Sequence, residues 1–233
     1  MQRMLDKHTV ALILAGGSGS RMNSDKTKQN IEILGETVLH RTARAFDECA
    51  SVDSIVVVTR FDEIDATRAM LADVKKLYSV VVGGKTRRES ARCGFDAIPS
   101  EAEFVAIHDA ARCLITPEMI DKVVEEAKVF GAASCVSDVV DTVKLEEGGF
   151  LVDTLDRSHL RLAQTPQVFS VQIYKDALEN SEKNMNITDD NMMVERLGIK
   201  IRSVNTSSQN IKITTVDDLA LAEFILEKRR KNV

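Results

Sequence analysis

The amino-acid sequence predicts an α/β chain of Rossmann-like type, a mainly parallel sheet flanked by helices with a β-hairpin arm protruding from it. Three observations carry this. Short apolar, β-branched runs alternate with longer amphipathic stretches through the first half, as strands joined by crossover helices do. A run of small residues, Ala15-Gly-Gly-Ser-Gly19, follows the first apolar run directly, and open α/β sheets bind ligands beyond their strand ends. From residue 138 to about 165 the alternation stops, and two short runs flank the turn Glu146-Glu-Gly-Gly149, the arrangement of a hairpin.

In chain order, Val10–Leu14, Ser54–Thr59, Ser79–Val82 and Phe104–Ile107 read as buried strands. Thr37–Cys49, Glu63–Leu77 and Arg87–Ile98 show helical spacing of apolar positions between them. Pro117–Phe130 is bracketed by Thr116 as N-cap and by Gly131, with proline at the first helical position. Ala132–Val136 reads as a further strand, and Val139–Leu145 with Phe150–Thr154 as the hairpin. A two-stranded excursion is marginal alone; it either folds back on its own domain or embraces a second subunit. After Pro166 come helices at Gln172–Ser181 and Asp189–Leu197, strands at Lys200–Val204 and Ile211–Ile213, and a last helix from Val216 to about Lys231. With no internal repeat or low-complexity linker, the expectation is one domain over 1–233, with the arm at about 138–165 inserted.

Bulk properties narrow the function. At 233 residues, with 44% apolar and 29% charged residues, the chain can bury a substantial core. A net charge of -5 disfavours general nucleic-acid binding, which rests on excess Lys and Arg. A local cation cluster in an acidic protein still suits a small polyanion. The four cysteines lie far apart without metal-ligand spacing, so a zinc site or disulfide framework is not expected. No apolar run approaches a membrane span of about 20 residues, and no signal peptide is visible; a cytoplasmic protein is expected.

Three strand-end motifs stand out. Successive glycines in Leu14-Ala-Gly-Gly-Ser-Gly-Ser-Arg-Met22 let the backbone approach a ligand and turn its N–H groups inward as an anion cradle. The third glycine of a dinucleotide fingerprint and the Gly-Lys-Ser/Thr of a P-loop are both missing. Two cations, Arg21 and Lys28, are spaced to sit at either end of a phosphate chain. A second strand-to-helix junction carries Gly83, Gly84, Lys85 and Ser90, small groups suited to hydrogen-bonding a base edge. The third, Ile107-His-Asp-Ala-Ala-Arg112, brings an anion and a cation to the same edge. Asp109 could meet Mg²⁺, a ribose hydroxyl or a substrate hydroxyl, or pair with Arg112; His108 is read as a core or capping histidine. Asp189 and Asp190 fit a helix start, where they offset the dipole. Lys212, between Ile211 and Ile213, alternates as a solvated lysine of a strand does.

Taken in order, with Asp156-Arg157, Gln164-Thr-Pro-Gln167, Thr188-Asp-Asp190 and Asn210-Ile-Lys-Ile-Thr214, these motifs resemble the 2-C-methyl-D-erythritol 4-phosphate cytidylyltransferase family of the non-mevalonate isoprenoid pathway. The resemblance runs from Val10 to about Leu226. It implies a homodimeric enzyme that transfers CMP from CTP to a polyol phosphate, with Mg²⁺ or another divalent cation carried with CTP; no particular metal ligand follows. Carried over by position, it implies that Arg21 and Lys28 stabilise charge around the attacked phosphate, and that Arg157 and Lys212 complete the catalytic set. Ala15, Gly16, Gly17 and Gly19 would line the nucleotide with Gly84, Lys85, Ser90, Asp109 and Ala110. Asp109, Arg112, Thr142, Arg157, Thr188 and Lys212 would hold the acceptor, Thr142 and Arg157 reaching the neighbour's site through the arm. Departures from the family pattern include Thr27 and Cys113 where proline is usual, Ala91 where valine is, and an Ala15-Gly16-Gly17 opening. They leave the functional side chains in place. Ribitol 5-phosphate cytidylyltransferases share that opening and Gln-Thr-Pro-Gln, so they and other sugar-phosphate nucleotidyltransferases are the alternative.

Overall fold

The computed structural model describes residues 7–17, 30–181 and 187–231. Its main sheet is built on β1 (Thr9–Leu14), β4 (Ser54–Thr59), β5 (Leu77–Val82), β6 (Phe104–Asp109), β7 (Ala132–Asp138), β10 (Arg161–Ser170) and β11 (Arg202–Asn205), in the order β11-β7-β10-β6-β1-β4-β5. β1 pairs in parallel with β4 and β6, β4 with β5, and β7 with β11. β10 alone runs the other way, antiparallel to both β6 and β7.

Alternation along β1 shows why the sheet carries helices on two faces. Ala11 and Ile13 join one core with Phe46 and Leu39 of α1 (Val38–Glu48) and Ile120 and Val123 of α4 (Pro117–Phe130). Val10 and Leu12 point the other way, into a core with Tyr174 of α5 (Val171–Asn180) and Met193 of α6 (Asp190–Glu195). Successive strand side chains face opposite sides, so a run apolar at every position must be covered twice. The approach of α3 (Arg87–Phe95) depends on Gly94, where a Cβ would come within 2.2 Å of Leu12 Cδ1. A third cluster joins the small hairpin of β2 (Glu32–Ile33) and β3 (Glu36–Thr37) to α7 (Val216–Lys231), through Ile33, Leu114, Ile213, Ile225 and Leu226.

The expected helix ends are observed for α4, where the Thr116 hydroxyl accepts from the Met119 amide and Gly131 closes it at φ 83°. Four expectations need correction. The helix expected over Glu63–Leu77 is only α2 (Ile64–Met70). Leu71 and Val74 turn into the core, and the Lys76 amide donates to the Asp47 carboxylate at 2.7 Å instead of continuing a helix. The arm pairs β8 (Lys144–Glu147) with β9 (Phe150–Thr154), so Val139–Val143 lies outside the ladder. β10 replaces an expected break: Gln164, Thr165 and Pro166 fall at a register shift in the strand, and a bulge is where a residue without an N–H is tolerated in a sheet. Ile211–Ile213 forms no strand; it runs alongside the post-β6 loop, the Ile213 amide donating to the Ala111 carbonyl at 2.8 Å.

Candidate active site

The parallel strands deliver their carboxyl ends to one edge. Leu14 and Asp109 are register partners there, and the Ala15 amide donates to the Val58 carbonyl at 2.7 Å, so the glycine run leaves β1 beside the ends of β4 and β6. Gly16 and Gly17 follow at the same edge. Gly19, Arg21 and Lys28 lie outside the described residues.

Above β1, β4 and β5 is a cleft of about 330 Å³ walled by Gly16, Gly83, Gly84, Lys85, Thr59 and the 3-10 turn at Phe61. Arg60, Asp62 and Val82 complete the lining, and its glycine stretch is bare for a steric reason. A Cβ on Gly83 would come within 2.7 Å of Ser90 Oγ and 3.0 Å of Val58 Cγ1, and one on Gly84 within 2.2 Å of Glu89 Cβ. α3 starts behind this wall with a capping box: the Thr86 hydroxyl accepts from the Glu89 amide, and the Glu89 carboxylate accepts from the Thr86 amide. The Lys85 amide also donates to Glu89, at 2.7 Å. Ser90, buried, points its hydroxyl at the Gly84 carbonyl at 3.4 Å.

A second cleft, of about 220 Å³, lies above β6 and β10 and is walled by charged and amide side chains, among them Arg87, Asp109, Arg112, Thr188 and Lys212. Asp109 is its centre. Lys212 Nζ lies 2.7 Å from Asp109 Oδ2 and Arg87 Nε 3.3 Å from Oδ1. Burial alone would raise this carboxyl's pKa; Arg87, Lys212 and Arg112 outweigh it and hold the group well below the usual carboxylate range. The alternative of a direct Asp109–Arg112 ion pair does not form. Arg112 turns its Nη1 to the Asn210 carbonyl at 2.9 Å and its Nη2 towards the Ala163 carbonyl at 3.5 Å.

Beneath Asp109, His108 is fully buried, as a core histidine. Its Nδ1 is 3.1 Å from the Thr165 hydroxyl and its Nε2 3.3 Å from the Arg112 carbonyl, and burial pushes its pKa down to about 3. The Thr165 hydroxyl also accepts from the Asp109 amide at 3.1 Å. Ala110 is buried with its amide donating to the Leu14 carbonyl and its carbonyl accepting from Thr42, so its backbone is engaged in joining β6 to β1.

Asp189 caps α6, as expected, accepting from the Met192 amide. Asp190 does more. It is fully buried, its Oδ1 accepts from the Tyr174 hydroxyl at 2.6 Å, and its Oδ2 lies 2.7 Å from Arg87 Nη1. Gln167 fixes the same turn, its side-chain carbonyl accepting from the Asp190 amide at 2.9 Å. The sequence motifs give Gln164-Thr-Pro-Gln167 and Asp190 no site role and place Arg87 outside the site. The available signal was the arginine in Gly-Gly-x-x-Arg-x-x-Ser, one helical turn before Ser90.

Thr142 and Arg157 belong to the arm region, exposed; Arg157 donates to the Val140 carbonyl. Neither belongs to the described wall of the two clefts. Among the described residues there is no cluster of three or more His, Cys, Asp or Glu side chains able to hold a metal ion, and no helix long and apolar enough to cross a membrane.

A glycine-bearing cleft beside a charged one lies where an open α/β sheet takes its ligands, and the family match makes the class a nucleotidyltransferase. The family model described as IspD, 2-C-methyl-D-erythritol 4-phosphate cytidylyltransferase, matches residues 9–228. A protein of that name from Clostridium botulinum (strain Loch Maree / Type A3) is 40% identical over 228 residues, covering 96% of this chain and 99% of its own. Another, from Clostridium novyi (strain NT), is 40% identical over 225 residues, covering 93% and 96%. The crystal structure of 4-diphosphocytidyl-2C-methyl-D-erythritol synthase from Anaerococcus prevotii superposes with a TM-score of 0.86 at 29% identity, covering 96% of this chain and 98% of that one. The chain belongs to the 2-C-methyl-D-erythritol 4-phosphate cytidylyltransferase family.

Proposed function

We propose that this chain transfers CMP from CTP to 2-C-methyl-D-erythritol 4-phosphate, releasing pyrophosphate, with the nucleotide over the glycine-walled cleft and the acceptor in the cationic one. The observation that carries the assignment of the two clefts is the bare Gly16, Gly83 and Gly84 stretch of one against the arginines and lysine of the other: a flat base suits close backbone approach, and a phosphate monoester suits Arg112 and Lys212. In the reaction an acceptor phosphate oxygen forms a bond to the α-phosphorus of CTP. The bond from that phosphorus to the bridging oxygen of the β-phosphate breaks, and pyrophosphate carries away the electron pair. The attacking oxygen is already anionic near neutral pH, so no general base is needed.

The obstacle is repulsion. Two unit charges at 4 Å repel by roughly 4 kcal/mol at an effective dielectric near 20, and fixed cations at the forming bond reverse that sign. Lys212 and Arg112 do this on the acceptor side, Arg21 and Lys28 around the triphosphate. Mg²⁺ enters as part of the nucleotide substrate and offsets triphosphate charge; both Asp109 oxygens are engaged by Arg87 and Lys212. Gly84 and Lys85 face the cytosine, with Ser90 behind them fixing the Gly84 turn, and Thr188 faces the acceptor.

The whole chain acts as one domain carrying the arm. The arm's exposed Val140, Phe150, Leu151 and Val152 support packing against a second copy, whose cationic cleft Thr142 and Arg157 would then complete. A pyrophosphate-release assay with CTP and either 2-C-methyl-D-erythritol 4-phosphate or ribitol 5-phosphate tests the reading. Release with the first is expected, and release with only the second would overturn it.

A further inference from the structure

We propose that Arg87 is a positioning residue: the standing counter-ion of Asp109 that lets Lys212 leave Asp109 for the phosphate of the incoming acceptor. The inference rests on reading the cationic cleft as the acceptor site.

The two cations that share Asp109 are held very differently. Arg87 is bound at both ends, its Nε against Asp109 and its Nη1 2.7 Å from Asp190. Asp190 is held by its surroundings, fully buried with the Tyr174 hydroxyl on one oxygen and its own amide on Gln167. Arg87 opens α3 directly behind the Thr86–Glu89 capping box, so backbone and side chain are both fixed. Lys212 lies on an extended segment outside any ladder, its side chain 43% exposed against 27% for Arg87. Asp109 is the acceptor it meets among the described residues.

Side-chain chemistry matches these placements. A guanidinium forks between two carboxylates in a fixed geometry, whereas an ammonium on a flexible stem is a point charge that can change partners. A buried carboxylate stripped of its only cation is strongly destabilised. If Lys212 were the sole partner of Asp109, drawing it onto a phosphate would strand that carboxylate. With Arg87 fixed on Oδ1, Asp109 stays paired while Lys212 turns away. Around this point Arg112 is engaged with the carbonyls of Asn210 and Ala163, which leaves Lys212 as the cation whose present partner is a removable charge.

The test is a kinetic comparison in the full-length protein. Arg87→Met alone would strand Asp190, so it is combined with Asp190→Asn, whose amide oxygen can still accept from Tyr174. In that double variant Lys212 becomes the only cation contacting Asp109 among the described residues. The expected result is an acceptor KM raised about tenfold or more, the scale of one charge-assisted hydrogen bond, with CTP affinity by calorimetry changed less than about twofold. Arg87→Lys, which keeps one charge beside Asp109, is expected to raise acceptor KM by an intermediate factor, and it carries the same test if the double variant does not fold. An unchanged acceptor KM would overturn the proposal, as would equal losses of acceptor and CTP binding, the mark of a merely structural role. Wild-type protein that fails to use 2-C-methyl-D-erythritol 4-phosphate at all would instead overturn the functional reading, before any variant is compared.

Discussion

The two clefts at the strand ends are made of different material. The wall over β1, β4 and β5 has a bare stretch at Gly16, Gly83 and Gly84, where Gly83 and Gly84 have no room for a Cβ, beside the side chains of Arg60, Phe61, Asp62 and Lys85. The wall over β6 and β10 is charged side chains held in place by one another, Asp109 between Arg87 and Lys212, and Arg87 again by Asp190. Under the proposed function the contrast makes recognition of a base and handling of a second polyanion separable tasks. Damage to one wall should therefore leave the other working.

The largest expected effect is at the charged wall. Lys212→Ala should lower turnover about 10²–10³-fold, the cost of one positioned transition-state charge partner, with the thermal midpoint and CTP affinity little altered. Steady-state kinetics beside calorimetry checks this; parallel loss of CTP affinity would erase the division of labour. Next is the backbone wall. Gly83→Ala pushes a methyl group against Ser90 Oγ and should weaken CTP about tenfold while acceptor KM holds.

Acid sharpens the comparison from below. His108 is neutral and buried, with a pKa pushed down to about 3 from an ordinary 6.5. The unfolded chain therefore binds a proton that the folded one refuses between pH 6.5 and 3. Its contribution to stability is complete above pH 6.5 and falls by roughly 1.4 kcal/mol for each pH unit below it. Asp109, with its pKa held down, adds loss in the same direction only nearer pH 4. His40, raised by Glu36 and Asp73 against burial, works oppositely, so the informative quantity is a difference between proteins. Thermal melts from pH 7 to 5 should show a steeper decline for wild type than for His108→Gln; equal slopes would contradict this account of the floor.

The smallest effect is at the arm. If the proposed arm-mediated dimer forms, Leu151→Ser, at a position 71% exposed, should leave the protein monomeric in sedimentation where wild type is dimeric, and lower turnover several-fold, about 1 kcal/mol, without changing CTP affinity. An unaltered oligomeric state would remove the arm from the interface.

Much of this was legible in residue order because β1, β4 and β6 have apolar interiors, and because β1 and β5 run on to glycines while β6 ends on Asp109. Periodicity and strand-end chemistry then point to one edge. β10 was not legible: its apolar stretch is short, and Pro166 argues against a strand unless the partner strands that make room for a bulge are known. Lys212 was placed at the site by resemblance; its alternation with Ile211 and Ile213 suggested a strand that does not form, and Ile213 is buried instead against α7. Arg87 and Asp190 escaped because their meaning is a contact between helices 103 residues apart, which no local pattern encodes. What periodicity sees is burial; what it misses is pairing.

The most direct measurement is a pair of calorimetric titrations of CTP, into Lys212→Met and into Gly84→Val. A Cβ at Gly84 meets Glu89 at 2.2 Å, so the backbone wall cannot accept valine unchanged. The account predicts CTP affinity within about threefold of wild type for Lys212→Met and a loss of more than about tenfold for Gly84→Val. The reverse pattern, or equal loss in both, would contradict the assignment of nucleotide and acceptor to their separate walls.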